Sequence, residues 1–79
     1  MTNVEIYSTP TCIHCGHAKE FLKEHNVPYT EYNVLADVER RKEMVDITGQ
    51  MGVPVIVVGE NVMVGFNQSK LAELVGVPA

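Results

Sequence analysis

The chain predicts an α/β fold running β-α-β-α-β-β-α, a four-stranded mixed sheet with helices on both faces. Three observations carry this reading. Short runs of β-branched and aromatic residues alternate with amphipathic, helix-tolerant segments, and the last two apolar runs are separated by only three turn-forming residues. Residues suited to starting or stopping a helix bracket the helical segments.

Val4 to Tyr7 is rich in β-formers and reads as the first strand, which Ser8-Thr9-Pro10-Thr11 then breaks. From Ile13 to about His25 the chain suits a helix. Ala18, Phe21, Leu22 and His25 recur at i, i+3, i+4, i+7 as a buried face, while Lys19, Glu20, Lys23 and Glu24 lie elsewhere around the axis. Asn26 suits a left-handed end to this helix and Pro28 prevents continuation. Tyr29 to Val34 mixes aromatic, Thr and Val positions as a second strand, parallel to the first through a right-handed crossover. Asp37 is an N-cap for a helix running to about Thr48, which Gly49 ends. Val53 to Val58 is a buried-strand pattern. Gly59-Glu60-Asn61 then turns the chain into Val62-Met63-Val64, giving an antiparallel hairpin. Asn67 caps a last helix with Leu71, Leu74 and Val75 inward, closed by Gly76 and Pro78.

Seventy-nine residues suffice for one hydrophobic core, so a single domain over residues 1–79 is expected, with no linker or repeat. An apolar fraction of 46% and 20% charged residues describe a chain that folds rather than a disordered one. The net charge is −4, and the six Lys and Arg residues cluster only at Arg40-Arg41-Lys42, so no sustained basic surface meets a phosphate backbone. That triplet reads as a solvated helix face, with partner docking as the alternative. MTNVEIYS has neither a basic leader nor a signal-length apolar run, and Val53 to Val58 is too short to span a bilayer. The expectation is a soluble, cytoplasmic monomer that binds neither nucleic acid nor membrane.

The chemistry lies in Thr11-Cys12-Ile13-His14-Cys15, where a strand hands over to a helix. Cys12 near the helix start has its thiolate stabilised by unpaired N–H groups and by the positive end of the helix dipole, below the free-thiol value of about 8.5. It is the expected attacking sulfur. Cys15, one turn deeper, stays protonated until it resolves the mixed disulfide formed at Cys12. As a structural staple the pair would be inefficient, since so short a loop contributes about 2 kcal/mol. A zinc site from Cys12, Cys15, His14 and His17 is disfavoured because these helix positions point different ways. His14 and His17 are either solvated or help to tune the thiolate, and His25 is read as structural.

Taken together, Tyr7-Ser8-Thr9-Pro10-Thr11-Cys12-Ile13-His14-Cys15, Val53-Pro54-Val55 and Val64-Gly65-Phe66-Asn67 resemble the glutaredoxin family of the thioredoxin-like fold, over essentially the whole chain. The resemblance implies a thiol-disulfide oxidoreductase that needs no cofactor of its own. It also implies a cis bond before Pro54, with the backbone of Val53 free to pair with a bound substrate. Thr11, Ile13, His14, Gly65 and Phe66 complete the expected substrate surface, Phe66 as a groove or core residue.

Glutathione-using members resemble a pattern with Lys three residues before the attacking cysteine, Pro-Tyr between the cysteines, and Gly-Gly followed by acidic or hydroxyl residues before the last helix. Here those places hold Thr9, Ile13-His14 and Gly65-Phe66-Asn67-Gln68. In these respects the chain is more similar to the glutaredoxin-like electron donors of ribonucleotide reductase and related small bacterial and archaeal redoxins. That branch implies a disulfide-containing client protein, such as ribonucleotide reductase, and recharging by a thioredoxin-reductase type flavoenzyme. Glutathione is the alternative reductant. A metal or [2Fe-2S] module using the same cysteines is the contrasting function.

Overall fold

The computed structural model describes residues 3–78, so Met1, Thr2 and Ala79, at the ends of the expected 1–79 domain, lie outside the described residues. Seven elements follow in the expected order: β1 (Val4–Ser8), α1 (Ile13–Glu24), β2 (Thr30–Asn33), α2 (Val38–Thr48), β3 (Val55–Val58), β4 (Asn61–Val64) and α3 (Gln68–Val75). The sheet order is β2-β1-β3-β4. β1 runs parallel to β2 with Ile6 opposite Glu31, and antiparallel to β3 with Tyr7 opposite Val55. β3 and β4 form the antiparallel hairpin, with Val55 opposite Val64.

The period-two alternation of the strands divides the apolar residues between two faces. Val4 and Ile6 of β1 and Ile56 and Val58 of β3 pack with Ala18, Phe21 and Leu22 of α1 and with Leu71 and Ala72 of α3. On the opposite face Tyr7, Val34 and Val55 pack with Met44 of α2. Helices therefore cover both faces, as the sequence pattern requires.

Helix ends follow local hydrogen-bond chemistry. The Asp37 carboxylate accepts from the Arg40 N–H at 3.1 Å and the Asn67 side chain accepts from the Lys70 N–H at 3.1 Å, each satisfying an orphan donor of the first turn. Gly49 and Gly76 end α2 and α3 in left-handed conformation, at φ 73° and 77°. α1 stops one residue earlier than its apolar spacing suggests. His25 is its C-cap, and Asn26, at φ 56°, closes a Schellman arrangement. Its N–H donates to Lys23 O and that of Val27 to Leu22 O. The His25 ring still packs on Phe21, with centroids 4.6 Å apart, in the structural role expected of it.

All four strands differ at a boundary from the sequence reading. β1 runs one residue further, through Ser8, because its pairing with Asn33 continues the parallel ladder before the turn. β2 is trimmed to Thr30–Asn33, although the Val34 N–H still donates to Ser8 O. β3 begins at Val55 because Pro54 has no N–H to give to a ladder. Asn61 belongs to β4, since its pairing with Val58 leaves only Gly59 and Glu60 in the turn. On α3, Leu71 and Ala72 are the buried pair, while Leu74 and Val75 are half-buried.

Tyr7 is the bulkiest fully buried side chain, and its hydroxyl donates to Glu43 Oε1 at 3.4 Å. Burial, reinforced by the carboxylates of Glu43 and Glu5, pushes its phenol up from 10.0 to about 12. A raised value means that the folded state holds the neutral phenol more tightly than the unfolded chain does. This contribution to stability is therefore complete below pH 10 and is lost as pH rises toward 12. Urea midpoints measured across that window should fall more steeply for the wild type than for Tyr7→Phe, which lacks the titrating hydroxyl.

Candidate active site

Register brings three loops to one end of the sheet. β1 leaves it at Ser8, β3 enters it at Val55 opposite Tyr7, and β4 leaves it at Val64 opposite Val55. The segments Thr9–Cys12, Val53–Pro54 and Gly65–Phe66 therefore emerge at the same edge. Thr11, Ile13 and His14 lie beside Cys12 in the chain, and Val53, Pro54, Gly65 and Phe66 arrive from the other two loops.

The Cys12 N–H donates to Thr9 O at 3.2 Å, closing a turn with Pro10 at its second position, where a fixed φ favours it. Cys12 is then the N-cap of α1, with φ −83° and ψ 110°. Its sulfur occupies the place usually taken by a Ser or Asp oxygen, accepting the Cys15 N–H at 3.1 Å. No acidic residue competes in this first turn. The two cysteines are joined as a disulfide with Cα atoms 5.2 Å apart. Cys15 is 1% exposed and Cys12 half-buried, so one sulfur faces the solvent side and its partner lies in the core.

Around the pair, Ile13 is 73% exposed and His14 is exposed. The Val53–Pro54 bond is cis, as the resemblance implied, with Pro54 buried and Val53 half-buried. Pro54 O accepts the Gly65 N–H at 2.8 Å, tying the second loop to the third. Phe66 packs on Phe21 of α1, with ring centroids 6.3 Å apart, so it is partly core and partly surface. The rings of His14 and His17 lie edge to face at 6.1 Å, both exposed. Among the described residues no group of three or more His, Cys, Asp and Glu side chains is arranged to hold a metal ion. Of the basic triplet, Arg40 is paired with Glu43 at 3.1 Å and lies 4.1 Å over the Tyr32 ring.

A polar cluster beside this edge escapes sequence reasoning. Ser8, the buried polar residue of the core at 1% exposure, donates to Glu31 Oε2 at 2.8 Å, and Lys19 Nζ donates to the same oxygen at 2.8 Å. The hydrogen bonds from Lys19 and Ser8 hold the Glu31 carboxyl below its ordinary range, outweighing the opposing effect of burial. The three residues come from β1, α1 and β2 and meet only once the parallel register is known. No local motif announces them.

A helix longer than the ones seen here would be needed to cross a bilayer; among the described residues none is long and apolar enough.

The chain resembles known proteins along nearly all of its length. The glutaredoxin family model matches residues 4–63. An uncharacterized glutaredoxin-like 8.6 kDa protein in the rubredoxin operon of Clostridium pasteurianum is 43% identical over 72 residues, covering 91% of this chain and 96% of that protein. Among solved structures, a mutant of a thioredoxin-like protein superposes with TM-score 0.91 at 33% identity, over 99% of this chain and 100% of that one. The glutaredoxin of Archaeoglobus fulgidus superposes with TM-score 0.85 at 31% identity, over 95% and 87%. Family match, near full-length relatives and a dithiol at the mouth of α1 agree, and the chain belongs to the glutaredoxin family of the thioredoxin-like fold.

Proposed function

We propose that the chain is a dithiol protein-disulfide reductase of the cytoplasm, with Cys12 as nucleophile and Cys15 as resolving thiol. The observation that carries this is the Cys12 sulfur at the N-cap of α1, accepting a backbone N–H while its partner lies buried one turn behind. In the reduced protein the same donor and the helix dipole favour the Cys12 thiolate. That thiolate attacks one sulfur of a client disulfide. The client S–S bond breaks, a Cys12–client bond forms, and the other client sulfur leaves as a thiolate. Cys15 then loses its proton and attacks Cys12, releasing the second client thiolate and closing the Cys12–Cys15 disulfide. Two electrons from a reductase restore both thiols.

In this reading Thr11, Ile13, His14, Val53, Pro54, Gly65 and Phe66 form the surface on which the client chain lies. The exposed Ile13 offers an apolar contact, and the backbone of Val53 a polar one. The partners are a disulfide-containing client, ribonucleotide reductase among the candidates, and a thioredoxin-reductase type flavoenzyme. Thr9 stands where a cation would hold a glutathione carboxylate, and a single Gly65 precedes Phe66. Both features support the flavoenzyme over glutathione.

The test compares two regenerating systems with insulin as substrate. NADPH with thioredoxin reductase should sustain turnover, and glutathione with glutathione reductase should give little. Turnover with glutathione alone would overturn the choice of reductant.

A further inference from the structure

The Ser8–Glu31–Lys19 cluster lies on the face of the sheet that carries the dithiol helix, and nothing in the exchange chemistry above uses it. Ser8, Ile6 and Val4 share a face by strand alternation, and Glu31 pairs with Ile6 across the parallel ladder, so both polar side chains rise toward α1. There they meet Lys19, one helical turn beyond Cys15, a spacing that makes the two side chains neighbours on the helix surface. Lys19–Glu31 is the ion pair that joins α1 to the sheet among the described residues; the other, Arg40–Glu43, lies within α2. Ser8 and Glu31 also line, with Thr9, Pro10 and Asn33, a cavity of about 230 Å³ under the turn that leads into Cys12.

We propose that Lys19 and Glu31, anchored by Ser8, are positioning residues that hold a compensated charge pair one turn behind the resolving cysteine and thereby set how readily Cys15 ionises. The inference rests on the assignment of Cys12 as attacking and Cys15 as resolving sulfur. Glu31 holds the Lys19 ammonium on the sheet side, so its charge is neutralised where Cys15 would otherwise feel it. The other charged or titratable groups on α1 are His14, His17, Glu20, Lys23 and Glu24, with Lys23 also acting on Glu31, and His25 caps its C-terminal end. The Val53–Pro54 segment contributes no charge, and α3 begins with the neutral Gln68 and Ser69.

The sign of the effect separates charge compensation from simple packing. Glu31→Gln leaves Lys19 uncompensated and should make Cys15 easier to ionise. Lys19→Gln leaves the Glu31 carboxylate uncompensated and should make it harder. Loosened packing would move both variants the same way.

Rapid mixing of the reduced protein with dithiobis-nitrobenzoate reads both sulfurs. Cys12 attack breaks the reagent disulfide and releases one thionitrobenzoate. Attack by Cys15 on the Cys12 mixed disulfide then releases the second, with the Cys15 proton passing to solvent. The pH midpoint of the second phase should fall for Glu31→Gln and rise for Lys19→Gln, each by on the order of half a unit, the size expected of one charge acting across a helical turn in a partly solvated site. Lys19→Arg should stay near wild type, and the double Gln variant, neutral and of similar shape, should return toward it with its circular dichroism unchanged. Shifts of the same sign, or no shift in either single variant, would overturn the inference. A first phase that persists in Cys12→Ser would instead refute the assignment of the two sulfurs on which it rests.

Discussion

Cys12→Ser is expected to bring disulfide reduction down to the rate of exchange without the protein, a loss of several orders of magnitude, because a serine hydroxyl at the same N-cap is no nucleophile toward sulfur. The cap itself survives, since serine is a preferred N-cap residue and can accept the same Cys15 N–H. Stability should therefore stay close to wild type while activity disappears. Cys15→Ser should fail one step later. The attacking sulfur is intact, the mixed disulfide forms, and without a buried thiol behind it the client remains attached. Mass spectrometry after one exposure to substrate distinguishes the two outcomes: an unmodified protein for the first variant and a protein carrying one client chain for the second.

The largest effect on stability is expected from Leu22→Ala. Leu22 is fully buried on α1, within the cluster that joins α1, α3 and strands β1, β3 and β4. Truncating a buried leucine costs about 2–5 kcal/mol through lost transfer energy and the cavity left behind. A domain of this size has only about 4–12 kcal/mol in total. The thermal midpoint should fall by about 10 to 30 °C, measurable by circular dichroism. Val62→Ala on the exposed side of β4, where the side chain is 44% exposed, serves as the control and should change stability by about 0.5 kcal/mol or less. The active site should suffer in Leu22→Ala only as far as the protein unfolds, because Leu22 anchors the far half of the helix whose first turn carries the cysteines.

Much of this was legible from the sequence, and the reason is locality. Asp37, Asn67, Gly49, Gly76 and Asn26 mark helix ends because each satisfies or relaxes backbone groups only a few residues away. The cysteine pair was legible for the same reason, since it is a four-residue motif at the junction of a strand and a helix. The cis bond before Pro54 came through family resemblance, since nothing in Val-Pro itself demands it.

Strand limits were less legible, because they depend on partners. Asn61 joins β4 only because Val58 lies opposite it, and Pro54 falls out of β3 because its missing N–H matters only beside a neighbouring strand. The Ser8–Glu31–Lys19 cluster marks the limit of reading one residue at a time. Ser8 and Glu31 are 23 residues apart, and their meeting is decided by parallel register rather than by either residue's surroundings in the chain.

The reactivity of one sulfur at the start of α1 is tested most directly by the pH dependence of alkylation in the reduced protein, mapped to each cysteine by mass spectrometry. The prediction is that Cys12 is modified with a midpoint well below the pH at which a free thiol ionises, while Cys15 is spared over the same range. Equal labelling of both cysteines, at the midpoint of a thiol in an unfolded peptide, would contradict it.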